Sequence, residues 1–121
     1  MGCIAVVDDD SILVEGIARL IRAMGHQAFS FTSAAALLSS DVARFDCVVS
    51  DVLMPDMGGL ALLAALQSKR PSIPVILISG FIEEGMRESA KQAGAICVLA
   101  KPFDDAELER HILTALRVDV S

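Results

Sequence analysis

Tryptophan and tyrosine are absent from this chain, and five phenylalanines supply all of its 4% aromatic content. Stacking platforms for single-stranded nucleic acid need aromatic faces, so that class of binder is excluded. Positive charge is also scarce. Ten Lys and Arg stand against 16 Asp and Glu, for a net charge of −6, and no Lys/Arg run occurs. Contact with a phosphate backbone needs clustered cations, which argues against direct nucleic-acid binding by this domain. No apolar stretch approaches the ~20 residues that a membrane span requires. No basic segment precedes an apolar one at the amino terminus, so no secretory leader is expected and the chain reads as cytoplasmic. Cysteine is limited to Cys3, Cys47 and Cys97, odd in number and widely spaced. Each lies in or beside an apolar run, the pattern of buried reduced thiols rather than of a metal or disulfide framework.

What is present is a large apolar fraction, 54% of 121 residues, enough for a substantial core in one domain of ordinary size. Apolar runs alternate with segments of helical period. Ile4–Val7 reads as a strand. Leu13, Ile17, Leu20, Ile21 and Met24 then recur on one helix face, and Gly25 stops that helix. Gln27–Phe31 is a weaker strand, and Ala34–Leu38 a short helix capped by Thr32 or Ser33. Cys47–Val49 is a buried strand, followed by a helix marked by Leu60, Leu63, Ala64 and Leu66. Pro74–Ile78 is strand-like, Glu83–Ala93 a polar helix before Gly94, and Ile96–Leu99 the last strand. Asp104 or Asp105 caps a final helix carrying Leu108, Ile112, Leu113 and Leu116. Five βα units with near-continuous apolar strands imply a parallel sheet covered on both faces. Right-handed crossovers make it a doubly wound α/β fold, flavodoxin-like, with five strands in the order 2-1-3-4-5. Its ligand site falls at the switch point between strands 1 and 3. The chain is expected to be a single domain, residues 1–121 with a core of about 3–117, with no output domain after it.

Acidic residues stand at that point. Asp8-Asp9-Asp10 follows the first strand, and Asp51 follows Cys47-Val48-Val49 ahead of a Met54-Pro55 bend and Gly58-Gly59. Two carboxylates ~4 Å apart repel by about 4 kcal/mol at an effective dielectric near 20. A hard divalent cation such as Mg²⁺ relieves this, taking oxygen ligands while keeping several waters. Asp10 reads as the helix cap of the acidic trio. Asp51 is the candidate nucleophile, since carboxylates accept phosphoryl groups as acyl phosphates. A transferring phosphoryl group spreads charge over three oxygens. Mg²⁺ would meet one, Lys101 a second, and the Ser79 hydroxyl with the Gly80 N–H a third.

The segment Asp51-x-x-Met54-Pro55-x-x-x-Gly59, the early Asp8-Asp9 pair and the late Lys101-Pro102 resemble the receiver domain of two-component response regulators. The resemblance covers Cys3 to Arg117. It implies a phosphoryl-accepting switch rather than an enzyme with its own substrate, although such a domain assists its own phosphorylation and dephosphorylation. Asp8, Asp9, Asp51 and the main-chain carbonyl of Leu53 would hold Mg²⁺. Ser79 would move toward the phosphoryl group on activation, and Lys101-Pro102 would be cis. The donor would be a histidine kinase or a phosphotransfer protein, the output domain fused or separate, and a homodimer could form on phosphorylation. Two positions depart from the pattern. Val98 stands three residues before the lysine, where receivers often carry Tyr or Phe. Leu53 and Phe81 are bulky and apolar at flanking positions that are often polar in fast-hydrolysing receivers.

Three other readings are open to the same residues. Asp8-x-Asp10 also opens haloacid-dehalogenase-type phosphatases, with Asp8 as nucleophile, but that leaves the Asp51 segment unexplained. A receiver-like interaction module independent of phosphorylation usually lacks an acid, the hydroxyl or the lysine, all of which are here. A mononucleotide-binding flavodoxin-type protein would need a glycine-rich first turn, and Asp8-Asp9-Asp10-Ser11 would repel a phosphate there.

Overall fold

In the computed structural model, β1 (Cys3–Val7), β2 (Gln27–Phe31), β3 (Cys47–Asp51), β4 (Val75–Ser79) and β5 (Cys97–Ala100) form one parallel sheet in the order β2-β1-β3-β4-β5. The structure describes residues 2–120, the last three by their backbone alone. Helices α1 (Ser11–Ala23), α2 (Ala34–Leu38), α3 (Gly59–Lys69), α4 (Met86–Gln92) and α5 (Asp105–Val120) connect the strands, with a short 3₁₀ turn at Val42–Arg44. This is the expected doubly wound architecture, strand order included.

Each sheet face packs its own core. One face buries Val14, Ile17 and Ile21 of α1 and Leu108 and Ile112 of α5 against Ile4, Val49 and Ile76. The other buries Leu37 of α2 and Leu62, Leu63 and Leu66 of α3 against Ala5, Val48 and Leu77. The central strands β3 and β4 are buried along their whole length, which is why they lack alternation. Full burial of one such leucine contributes about 1.5–3 kcal/mol. Cys3, Cys47 and Cys97 join no disulfide. Burial pushes the Cys97 thiol up to about 11, so it stays protonated and unreactive at neutral pH.

Helix ends follow the sequence closely. The Asp10 carboxylate accepts from the Ile12 and Leu13 amides and caps α1. The Ser33 hydroxyl, not Thr32, accepts from the Ala36 amide and caps α2. Asp104 stands before α5, its carbonyl accepting from the Leu108 amide.

Some expectations are corrected. The fourth helix begins at Met86, not Glu83, because Gly85 adopts a left-handed φ of 82° that ends the preceding turn. β4 runs one residue further than expected, through Ser79, and β5 through Ala100. Leu60 and Leu113 are exposed rather than in the core. α3 is apolar on nearly every side, so its spacing does not reveal which face is buried.

Candidate functional site

Sheet register brings the acids together. Val7 of β1 lies beside Ser50 of β3, so the next residues, Asp8 and Asp51, emerge side by side at the carboxyl edge. Ser79 of β4 lies beside Ala100 of β5, which puts Lys101 next along the same edge. The Lys101 amide donates to the Ser79 carbonyl at 2.9 Å and fixes that junction. The Lys101-Pro102 bond is cis.

Asp8 and Asp51 are both buried, at 3% and 9% exposure, and buried carboxylates need partners. Lys101 serves both. Its Nζ donates to Asp8 Oδ2 at 3.3 Å and to Asp51 Oδ2 at 3.2 Å. The remaining oxygens are met by main chain, Asp8 Oδ1 by the Asp10 amide at 3.0 Å and Asp51 Oδ1 by the Leu53 amide at 3.3 Å. Burial alone would lower the Lys101 pKa. The hydrogen bond and charge of Asp51, then those of Asp8, outweigh it and hold the ammonium above the usual lysine value. Lys101 is therefore a permanent cation between two acids.

Carboxylate oxygens of Asp8, Asp9 and Asp51 all lie within 4.8 Å of one another. Mg²⁺ is bound through a few carboxylates and keeps several waters, which is what three acids gathered at one edge would offer it. The donors are all hard oxygens and Asp9 is exposed, which leaves room for waters. The residues fit Mg²⁺.

Ser79 is fully buried at the end of β4, and its hydroxyl faces its own turn. It donates to the Phe81 carbonyl at 2.7 Å and accepts from the Phe81 amide at 3.2 Å. Gly80 is exposed beside it, with open space where a side chain would stand. Leu53 and Phe81 are each 64% exposed on the loops that follow β3 and β4.

Sequence reasoning did not see why two glycines follow the Met-Pro bend. The Gly59 amide donates to the Val52 carbonyl at 2.8 Å, so α3 starts directly against the end of β3. A Cβ on Gly59 would lie 2.5 Å from the Asp51 carbonyl oxygen, and one on Gly58 would lie 2.8 Å from that of Val52. The signal was present as the glycine pair itself, but the close backbone approach it permits shows only in three dimensions.

A family model described as the response regulator receiver domain matches residues 4–113. The chain belongs to the receiver-domain family. It is 38% identical over 117 residues to the response regulator protein TmoT of Ectopseudomonas mendocina, covering 95% of this chain and 53% of that protein. It is 32% identical over 117 residues to the transcriptional regulatory protein FixJ of Bradyrhizobium diazoefficiens, covering 96% and 57%. The receiver thus spans about half the length of the curated relatives it matches. Among solved structures, FixJ-N superposes with a TM-score of 0.87 at 30% identity, covering 97% of this chain and 94% of that one. The BeF3-activated DrrB receiver domain gives 0.87 at 27% identity, covering 97% and 98%. Within the described residues, no helix is long and apolar enough to cross a membrane.

Proposed function

We propose that this receiver is the phosphoryl-accepting switch of a cytoplasmic two-component system, with Asp51 as the acceptor. The observation that carries the reading is the Lys101 ammonium shared between the buried Asp8 and Asp51 carboxylates. The donor is a phosphohistidine on a histidine kinase or a phosphotransfer protein. An Asp51 carboxylate oxygen attacks phosphorus, the P–N bond to the imidazole breaks, and the imidazole leaves with its electron pair. The product is an acyl phosphate on Asp51. Positioning and charge neutralisation are the protein's whole task in such a transfer. Lys101 neutralises one phosphoryl oxygen, and the Ser79 hydroxyl with the Gly80 N–H receives another. Asp8, Asp9, Asp51 and the Leu53 carbonyl would hold Mg²⁺, whose divalent charge would offset that of the phosphoryl group. Ser79 is held by Phe81 in the present arrangement, which is therefore the resting one. The output lies in a further domain, fused or separate, and phosphorylation alters the surface offered to it or to a second copy.

The phosphatase reading is disfavoured by Asp10. That carboxylate is committed to capping α1, which leaves Asp8 without a general acid two residues on. Acetyl phosphate with Mg²⁺ tests the proposal. Wild type should gain one hydroxylamine-labile phosphoryl group, and Asp51→Asn none. Labelling of Asp51→Asn to wild-type extent would overturn it. Mg²⁺ at ten times its dissociation constant should also stabilise the fold by roughly 1.4 kcal/mol, and Asp9→Ala should remove most of that gain.

A further inference from the structure

Helix α4 offers little of its surface to the core. Of its seven residues only Ala90 is buried, and it starts at a left-handed glycine with no side-chain cap. Arg87 ties it to the sheet, its guanidinium donating to the Val98 carbonyl at 2.5 Å. β5 is an edge strand of the sheet, and a guanidinium is well matched to an edge carbonyl. Val98 itself is buried and aliphatic. The loop that leads into α4 begins at the two bonds between the Ser79 hydroxyl and the Phe81 main chain, which the hydroxyl must release before it can turn to a phosphoryl oxygen.

We propose that Arg87 is the latch that holds α4 on β5 in the resting receiver. Its hydrogen bond to the Val98 main chain ties the helix to the edge strand. The inference rests on the reading of Asp51 as acceptor and Ser79 as the group that turns. Release of Phe81 by Ser79 loosens the start of α4, and the Arg87 bond opposes the movement. Linkage requires that a contact made only in the resting state also weaken binding of a phosphoryl group at the site. Arg87 touches neither Asp51 nor the groups around it and acts as a positioning residue.

Hydrogen exchange and beryllofluoride binding together test the latch, on wild type, Arg87→Ala and Arg87→Lys. Without beryllofluoride, Arg87→Ala should speed amide exchange in Arg87–Gln92 by about threefold to tenfold, with exchange in β1 and β3 unchanged as the control for folding. With Mg²⁺ and beryllofluoride, the same variant should bind the phosphoryl mimic more tightly by a similar factor, equivalent to about 0.7–1.4 kcal/mol. Arg87→Lys, which keeps one donor, should fall between. Unchanged exchange in α4 overturns the latch. So does faster exchange with unchanged or weaker mimic affinity, which would make the bond structural only. Failure of wild type to bind beryllofluoride would instead strike the Asp51 reading, while the exchange comparison still decides whether Arg87 holds α4.

Discussion

Lys101→Met isolates the most consequential contact in the receiver. The substitution keeps the apolar stem and removes the ammonium that stands 3.3 Å from Asp8 and 3.2 Å from Asp51. Each contact is worth about 5 kcal/mol of Coulomb attraction at an effective dielectric of 20, before the desolvation of all three groups is counted. Removing one partner of a buried ion pair costs about 3–5 kcal/mol, because the other charge stays buried. The Lys101 side chain is 24% exposed, and water screening brings the expected loss to about 2–3 kcal/mol. The comparison is made by urea unfolding at neutral pH in EDTA, read as a shift in midpoint at constant slope. The lysine pKa is raised in the folded state. Its contribution is therefore fully present below the unfolded value of about 10.5 and is lost as pH rises through the folded one. The gap between variant and wild type should then persist unchanged from pH 7 to pH 9. Millimolar Mg²⁺ should return most of the loss, since the same carboxylates receive a divalent charge. A variant as stable as wild type in EDTA would refute the view that Lys101 compensates the two buried acids.

Three further outcomes follow from the same geometry. Gly59→Ala should cost about 2 kcal/mol and slow phosphorylation, because its Cβ would lie 2.5 Å from the Asp51 carbonyl oxygen; a neutral result in thermal melts would show that α3 can shift freely. The His26 pKa is lowered, first by burial and then by the charge of the amino terminus, and its Nδ1 accepts from the Gly2 amide at 3.0 Å. Stability should therefore fall as pH drops below the unfolded histidine value of about 6.5, and His26→Gln should lose that limb of the urea-unfolding profile; parallel profiles would count against it. Leu53 and Phe81 flank the site with exposed apolar surface and offer no side-chain hydrogen bond to align an attacking water. Autodephosphorylation should be slow, and Leu53→Asn combined with Phe81→Glu should shorten the phosphoryl half-life by about tenfold, equivalent to 1.36 kcal/mol in the barrier; an equal or longer half-life would leave both as packing residues.

Strands and site were legible because their signals are local. The runs Ile4–Val7 and Cys47–Val49 are apolar throughout, and the crossovers and strand order follow from covering two faces. That order brings the strand ends bearing Asp8 and Asp51 to one edge, while the register that sets them side by side shows only in the structure. A cation for the Asp51 carboxylate was legible in Lys101 at the end of the last strand; that the same ammonium also bonds Asp8 was not, because one side chain reaching both acids shows only in three dimensions. Nor was the rotamer of Ser79, which depends on the Phe81 main chain. Helix α4 was overextended because a polar segment gives no buried face to mark its start, and the left-handed φ of Gly85 leaves no trace beyond the residue itself. Leu60 and Leu113 misled for the opposite reason, since leucine at helical spacing is assumed to be buried.

The central claim is that Asp51 carries the phosphoryl group. Borohydride reduction of the phosphorylated receiver converts an aspartyl phosphate to homoserine, and peptide mass spectrometry then reads the position. Homoserine at position 51 alone is the expected result. Homoserine at position 8, 9 or 56, with residue 51 unmodified, would contradict the account.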